Sequence, residues 1–93
     1  MYRDGLRKEW RIPTDSAALV SKVDDPFWKA DARLANISAD GLLLKMHLTQ
    51  HLAVGSKIDV RFGAAAVAGE VKHVSARATH LLVGIAIDSV QGV

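Results

Sequence analysis

Residues 29–34 read KADARL, so that apolar side chains alternate strictly with charged ones. Beyond Asp40 and Gly41, residues 42–48 read LLLKMHL and place leucine or methionine at every second position. A repeat of two residues is typical of a β-strand with one buried face, and Asp-Gly is a common dipeptide in tight turns. The two stretches therefore predict neighbouring antiparallel strands joined by a short turn.

The same kind of alternation predicts strands along the rest of the chain. Residues 17–23 indicate a weaker first strand, and residues 58–62, 67–75 and 81–89 indicate three more. Residues 24–26, Asp-Asp-Pro, are expected to form the turn before the second strand. Six short strands joined by brief polar or glycine-containing turns favour an all-β fold, an antiparallel β-barrel.

The apolar face of these strands predicts the core. At residues 35–37 the apolar positions change parity, which indicates a β-bulge or the end of a strand. The expected core consists of the large apolar residues that share the inward face, namely Leu34, Leu42, Leu44, Met46, Ile58, Val60, Phe62, Val71, Val83, Ile85 and Ile87.

The length and composition are those of one small domain. A chain of 93 residues is too short to bury two separate cores, and its 49% of apolar residues is enough to build one. We expect a single domain over residues 1–93, with a flexible basic arm at 1–12 and the barrel at 13–93. Pro13 biases the residue before it toward extended backbone, so any helix in the arm should end there.

Several classes of site and location are excluded or disfavoured. The absence of cysteine rules out a disulfide scaffold and a cysteine-bound zinc ion, and it is consistent with the cytoplasm. No apolar run approaches the roughly 20 residues that cross a bilayer, so direct membrane insertion is not expected. The net charge of +2 is too small to indicate general binding to nucleic acid or membranes.

Two short polar motifs lie in the first half of the chain. Arg7 and Arg11 form Arg-x-x-x-Arg, and Asn36, Ser38 and Gly41 form Asn-x-Ser-x-x-Gly. The planar fork of arginine matches the O6 and N7 acceptors of guanine and also binds phosphate. Asn36 and Ser38 offer further hydrogen-bonding groups. Gly41 permits a positive φ angle and a close approach of the backbone to a ligand.

In this order, and followed by short alternating strands, the two motifs resemble those of the PilZ domain, a bacterial receptor for the second messenger cyclic di-GMP. The resemblance covers nearly the whole chain. It implies a six-stranded split β-barrel that holds the ligand on its surface while the arginine arm wraps around it. It also implies an effector protein or a covalently linked effector domain as partner, and control of motility, exopolysaccharide synthesis or virulence. The domain would be cytoplasmic, or the cytoplasmic part of a larger membrane protein.

The resemblance assigns ligand binding to the five motif residues, and three other arm residues are additional candidates. Arg3 lies four residues before Arg7 and also satisfies the arginine motif, although Arg7 and Arg11 are preferred because residues 12–13 lead directly into the first strand. Lys8 adds charge, and Trp10 can stack on a base beside Arg11. An inward-pointing Asp40 would weaken the binding of an anionic ligand.

Other functions are weighed against this one. A PilZ-like barrel without ligand could serve as a protein-interaction adaptor. An RNA-binding module is favoured by the pI near 9.2 but disfavoured by only five aromatic residues, so no DNA or RNA partner is expected. We find no catalytic constellation and expect no enzyme. His47 and His51 are four residues apart but not on an evident helix, so neither a metal nor a cofactor is expected beyond cyclic di-GMP as regulatory ligand.

Overall fold

Six β-strands make up most of the described structure. The computed structural model describes residues 15–38 and 40–91. These residues contain no helix, and therefore none that is long and apolar enough to cross a membrane. The strands are β1 (Ala17–Lys22), β2 (Asp25–Ile37), β3 (Gly41–Met46), β4 (Lys57–Phe62), β5 (Ala65–Ala76) and β6 (Leu81–Gln91).

The strands form a closed antiparallel barrel in the order β1-β2-β3-β6-β5-β4. Neighbouring strands are consecutive in the sequence except at two places, where β3 pairs with β6 and β4 pairs with β1. The pairing of residues 19–22 with residues 58–61 closes the barrel. The predicted six-stranded antiparallel barrel is thereby confirmed, while the arm at residues 1–12 lies outside the described residues.

The inward faces of all six strands form one apolar core. Ten of the eleven predicted core residues are buried, and Ile87 is partly buried and packs against the core. The core also contains small or peripheral apolar residues that the prediction did not include, namely Ala18, Val20, Ala30, Ala32, Leu52, Val67 and Leu81. No polar or charged side chain among the described residues is buried.

The turn between β1 and β2 lies earlier than predicted. Val23 and Asp24 form the turn, and Asp25 already pairs with Lys22 as the first residue of β2. The next paired residue of β2 is Lys29, so Pro26 falls in a stretch that the ladder with β1 skips. A proline that cannot donate a hydrogen bond is tolerated there, which is why it does not end the strand.

Four register shifts interrupt the pairing of the described strands, and two of them are β-bulges that matter for the surface described below. In β2 the register with β3 shifts between Leu34 and Asn36, which confirms the irregularity predicted at residues 35–37. In β5 the register with β6 shifts between Val71 and His73. Each bulge inserts one extra residue and turns the residues that follow it to the opposite face.

Replacing Leu44 by Ala should lower the free energy of unfolding by about 2–5 kcal/mol, because removing a fully buried leucine leaves a cavity. Leu44 is 0% exposed, whereas Leu48, just beyond β3, is 40% exposed and provides the matched control. Leu48→Ala should cost less than about 1 kcal/mol. Urea denaturation of the two variants measures the difference, and equal losses would contradict the assignment of the core.

Candidate functional site

The outer surface of the barrel carries an ordered set of cross-strand neighbours. Asn36 pairs with Leu43, Leu43 with Gly84, and Gly84 with His73, so one row crosses β2, β3, β6 and β5. Directly paired residues of a sheet project to the same face. Asn36 and His73 therefore stand at the two ends of one outward-facing row.

A second row runs beside the first and carries the rest of the Asn-x-Ser-x-x-Gly motif. The backbone N–H of Ser38 donates to the carbonyl of Gly41 at 2.9 Å, which closes the hairpin between β2 and β3. Gly41 pairs with Ala86, and Ala86 pairs with Glu70. The small residues of both rows form the floor of a groove of about 380 Å³, which is lined by all three residues of the motif together with Asp40, Lys72 and His73.

The bulges account for the outward direction of the groove walls. Asn36 lies two positions after the buried Leu34, and His73 lies two positions after the buried Val71. In a regular strand, residues two positions apart share a face. The extra residue in each bulge turns Asn36 and His73 away from the core and into the groove.

Hydrogen bonds of Asn36 and Ser38 fix the loop that follows β2. Asn36 Oδ1 accepts from the backbone N–H of Ile37 at 2.8 Å. The Ser38 hydroxyl donates to Asp40 Oδ1 at 3.0 Å, and the Asp40 carbonyl accepts from the N–H of Ile87 at 3.0 Å. The carboxylate of Asp40 thus lies in the groove and holds the hydroxyl that the motif offers to a ligand.

Gly41 serves the structure for a different reason from the one expected. Among the described glycines only Gly55 and Gly63 have positive φ angles, so the expectation of such an angle at Gly41 is wrong. Gly41 is instead the first residue of β3, and a Cβ placed on it would lie 3.2 Å from the carbonyl oxygen of Ile85. The close approach of β6, and not the turn geometry, makes a larger residue tight at this position.

Asp15 attaches the arm to the barrel next to this groove. Its N–H donates to the carbonyl of Leu34, and its own carbonyl accepts from Arg33 Nη1 at 2.8 Å. Its carboxylate lies 3.2 Å from Lys45 Nζ. Asp15 has a φ angle of 67°, a conformation that Asp tolerates better than most residues. These contacts fix the point at which the chain enters the barrel, two positions along β2 from Asn36.

The arm residues themselves lie outside the described part of the chain. Arg7 and Arg11, and the additional candidates Arg3, Lys8 and Trp10, belong to residues 1–14. Their role in binding stays a prediction. The described residues bring together only the barrel side of the expected site.

A cluster of charges borders the groove at β5. The hydrogen bond from Lys57, whose Nζ lies 3.2 Å from Glu70 Oε1, lowers the pKa of the Glu70 carboxyl, and the charge of Lys72 lowers it further. Hydrogen bonds to Glu70 and then to Asp88 raise the pKa of Lys57. Both shifts favour the charged forms of Glu70 and Lys57, and Lys72, whose Nζ lies 3.4 Å from Glu70 Oε2, lines the groove.

Most of the groove residues were not among the predicted site residues, and three of them lie on β5 and β6 and bear on its chemistry. Lys72, His73 and Gly84 line the groove, although neither motif includes them. A signal for two of them is present in the sequence, because the apolar positions of β5 change parity between Val71 and Val74, as they do at residues 35–37. Across residues 15–38 and 40–91 no group of three potential metal ligands comes together.

Gly41→Val should lower the free energy of unfolding by about 1–3 kcal/mol, because the added side chain collides with the backbone of β6. Ala76→Val is the matched control, since Ala76 is exposed at the end of β5 and a β-branched residue suits a strand. Thermal melts of the two variants provide the comparison. A Gly41→Val protein as stable as the control would show that β6 does not constrain this position.

Comparison with known proteins supports the likeness suggested by the motifs. Neither the curated proteins nor the solved structures include a match to the chain. The model of the PilZ domain family matches residues 5–92, nearly the whole sequence. The match includes both motifs, and the barrel is the all-β architecture that the resemblance implied. The chain therefore belongs to the PilZ domain family, a family of cyclic di-GMP receptors.

Proposed function

We propose that this domain binds cyclic di-GMP in the groove across β2, β3, β6 and β5. The observation that carries the proposal is the meeting of Asn36, Ser38 and Gly41 on one groove of the outer surface. A motif indicates a ligand more strongly when the fold also brings its residues together.

The chemistry of the groove suits a flat, anionic ligand. Gly41 and Ala86 form part of the floor, so a base or a sugar-phosphate backbone can approach the main chain closely there. Ser38 can turn its hydroxyl from Asp40 to the ligand, and Asn36 provides an amide for a base edge. On this side of the site the protein supplies shape and hydrogen bonds more than charge.

The arm supplies the complementary charge. Asp15 is held beside Leu34, and Arg11 is four residues before it. Four residues of extended chain span at most about 13–14 Å, and the eight residues back to Arg7 span about twice that distance. Asn36 is only two residues from Leu34, so both arginines can reach the groove. Their forks would then bind guanine and phosphate from outside.

Binding would order the arm against the barrel, and a neighbouring domain or partner protein would recognise that change. The domain then acts as a cytoplasmic receptor and not as an enzyme, and it controls motility, exopolysaccharide synthesis or virulence. The alternative is an adaptor that keeps the barrel and binds a protein without the ligand. Isothermal titration with cyclic di-GMP, and with GTP as a control, separates the two functions.

Arg7→Ala and Arg11→Ala should each weaken cyclic di-GMP binding by about 1–3 kcal/mol, the energy of a bidentate contact to guanine. Arg61→Ala is the matched control, because Arg61 is exposed on β4, a strand that contributes no residue to the groove. Titration calorimetry should show the loss in the first two variants only. Parent-like affinity in the double arginine variant would refute the assignment, and an effect of Arg3→Ala alone would move the motif four residues toward the N-terminus.

Ligand binding should change the fluorescence of Trp10 more than that of Trp28, since Trp10 is carried by the arm that closes. Trp28 is half-buried on β2, where Lys22 Nζ lies 4.7 Å from its ring centre. The variants Trp28→Phe and Trp10→Phe isolate the two signals. A response to cyclic di-GMP that came entirely from Trp28 would contradict closure of the arm.

A further inference from the structure

The imidazole of His73 lies directly on Gly84. A Cβ built on Gly84 would be 2.1 Å from Cε1 of the His73 ring, 2.5 Å from Nε2 and 2.7 Å from Nδ1. Any side chain at position 84 would therefore occupy the space of the ring. Glycine at this position is what allows His73 to lie against the strand.

The same distances show how the ring is oriented. The distances from this Cβ position to three consecutive ring atoms differ by only 0.6 Å, from 2.1 Å to 2.7 Å. An approach along the plane of the ring would bring Cε1 much closer than both nitrogens. The ring therefore turns one face toward Gly84, and its other face is directed away from the barrel.

The fold holds the outer face of this ring in the groove. The bulge between Val71 and His73 directs the side chain outward, and the pairing of His73 with Gly84 fixes its place across from Asn36. His73 is exposed and lines the groove, so the free face of its ring is accessible from the space between the two walls.

We propose that one guanine base of the ligand stacks on the outer face of His73, with Gly84 supporting the inner face. The inference rests on the proposed function and adds a contact that neither motif contains. Stacking on an aromatic ring, including that of histidine, lowers the free energy of a bound purine. This gain does not depend on which hydrogen bonds the edge of the base makes. The phosphates of a ligand in this position would lie in the same groove as the Lys72 ammonium, the cation beside His73.

The test is a set of five variants whose cyclic di-GMP affinity is measured by titration calorimetry, with thermal melts to confirm folding. His73→Ala should weaken binding about 5- to 150-fold, the loss expected when a base loses an aromatic partner. His73→Phe should retain most of the affinity, because phenylalanine keeps the stacking surface without the ring nitrogens. His51→Ala is the matched control, since His51 is exposed and lies outside the groove.

Gly84→Ala tests whether Gly84 supports the inner face of the His73 ring. The new methyl group should displace the ring and weaken binding, while the double variant His73→Ala with Gly84→Ala should bind no worse than His73→Ala alone. If Gly84→Ala does not fold, the comparison of His73→Ala with His73→Phe decides the proposal. Parent-like affinity in His73→Ala, or equal losses in His73→Ala and His73→Phe, would overturn it and leave the proposed function intact. A parent chain that does not bind cyclic di-GMP would overturn both.

Discussion

Successive side chains of a β-strand point alternately into the core and out to the surface. The arrangement of this barrel depends on two bulges that shift this alternation by one residue. Asn36 and His73 both follow a buried residue at a spacing that would place them in the core. Burying an amide or an imidazole without partners costs free energy, and no polar side chain is buried among the described residues. One extra residue in β2 and one in β5 resolve the conflict. The same two insertions form the walls of the groove, so the core and the site share one cause.

The free barrel already satisfies the polar groups that a ligand would use. The hydroxyl of Ser38 donates to Asp40, and the ammonium of Lys72 lies 3.4 Å from the carboxylate of Glu70. Binding therefore exchanges existing contacts for new ones and does not fill empty ones. Such an exchange yields a modest net gain for each bond, because each group gives up one partner before it takes another. The affinity of this side of the site must come from several contacts together.

The sequence was sufficient to predict the barrel, and its second motif named three residues that the fold brings to one groove. Strict alternation identified the strands and most of the core, because a strand with one buried face leaves a repeat of two residues. The turn before β2 was misplaced because the skipped pairing around Pro26 depends on the β1 partner, which local signals do not show. His73 and Gly84 were missed for a related reason. Their contact joins residues of two strands, and only the register of β5 with β6 makes them neighbours.

Closure of the barrel limits how another protein can recognise this domain. Each of the six strands is paired on both sides along at least part of its length, so the described barrel leaves little free edge to which a further strand could be added. Recognition through β-strand addition uses such an edge and the backbone hydrogen bonds along it. A partner must therefore bind side chains on the outer surface, where specificity depends on residue identity. The outer surface can then change in evolution by substitution alone, without any alteration of the strands that form the groove.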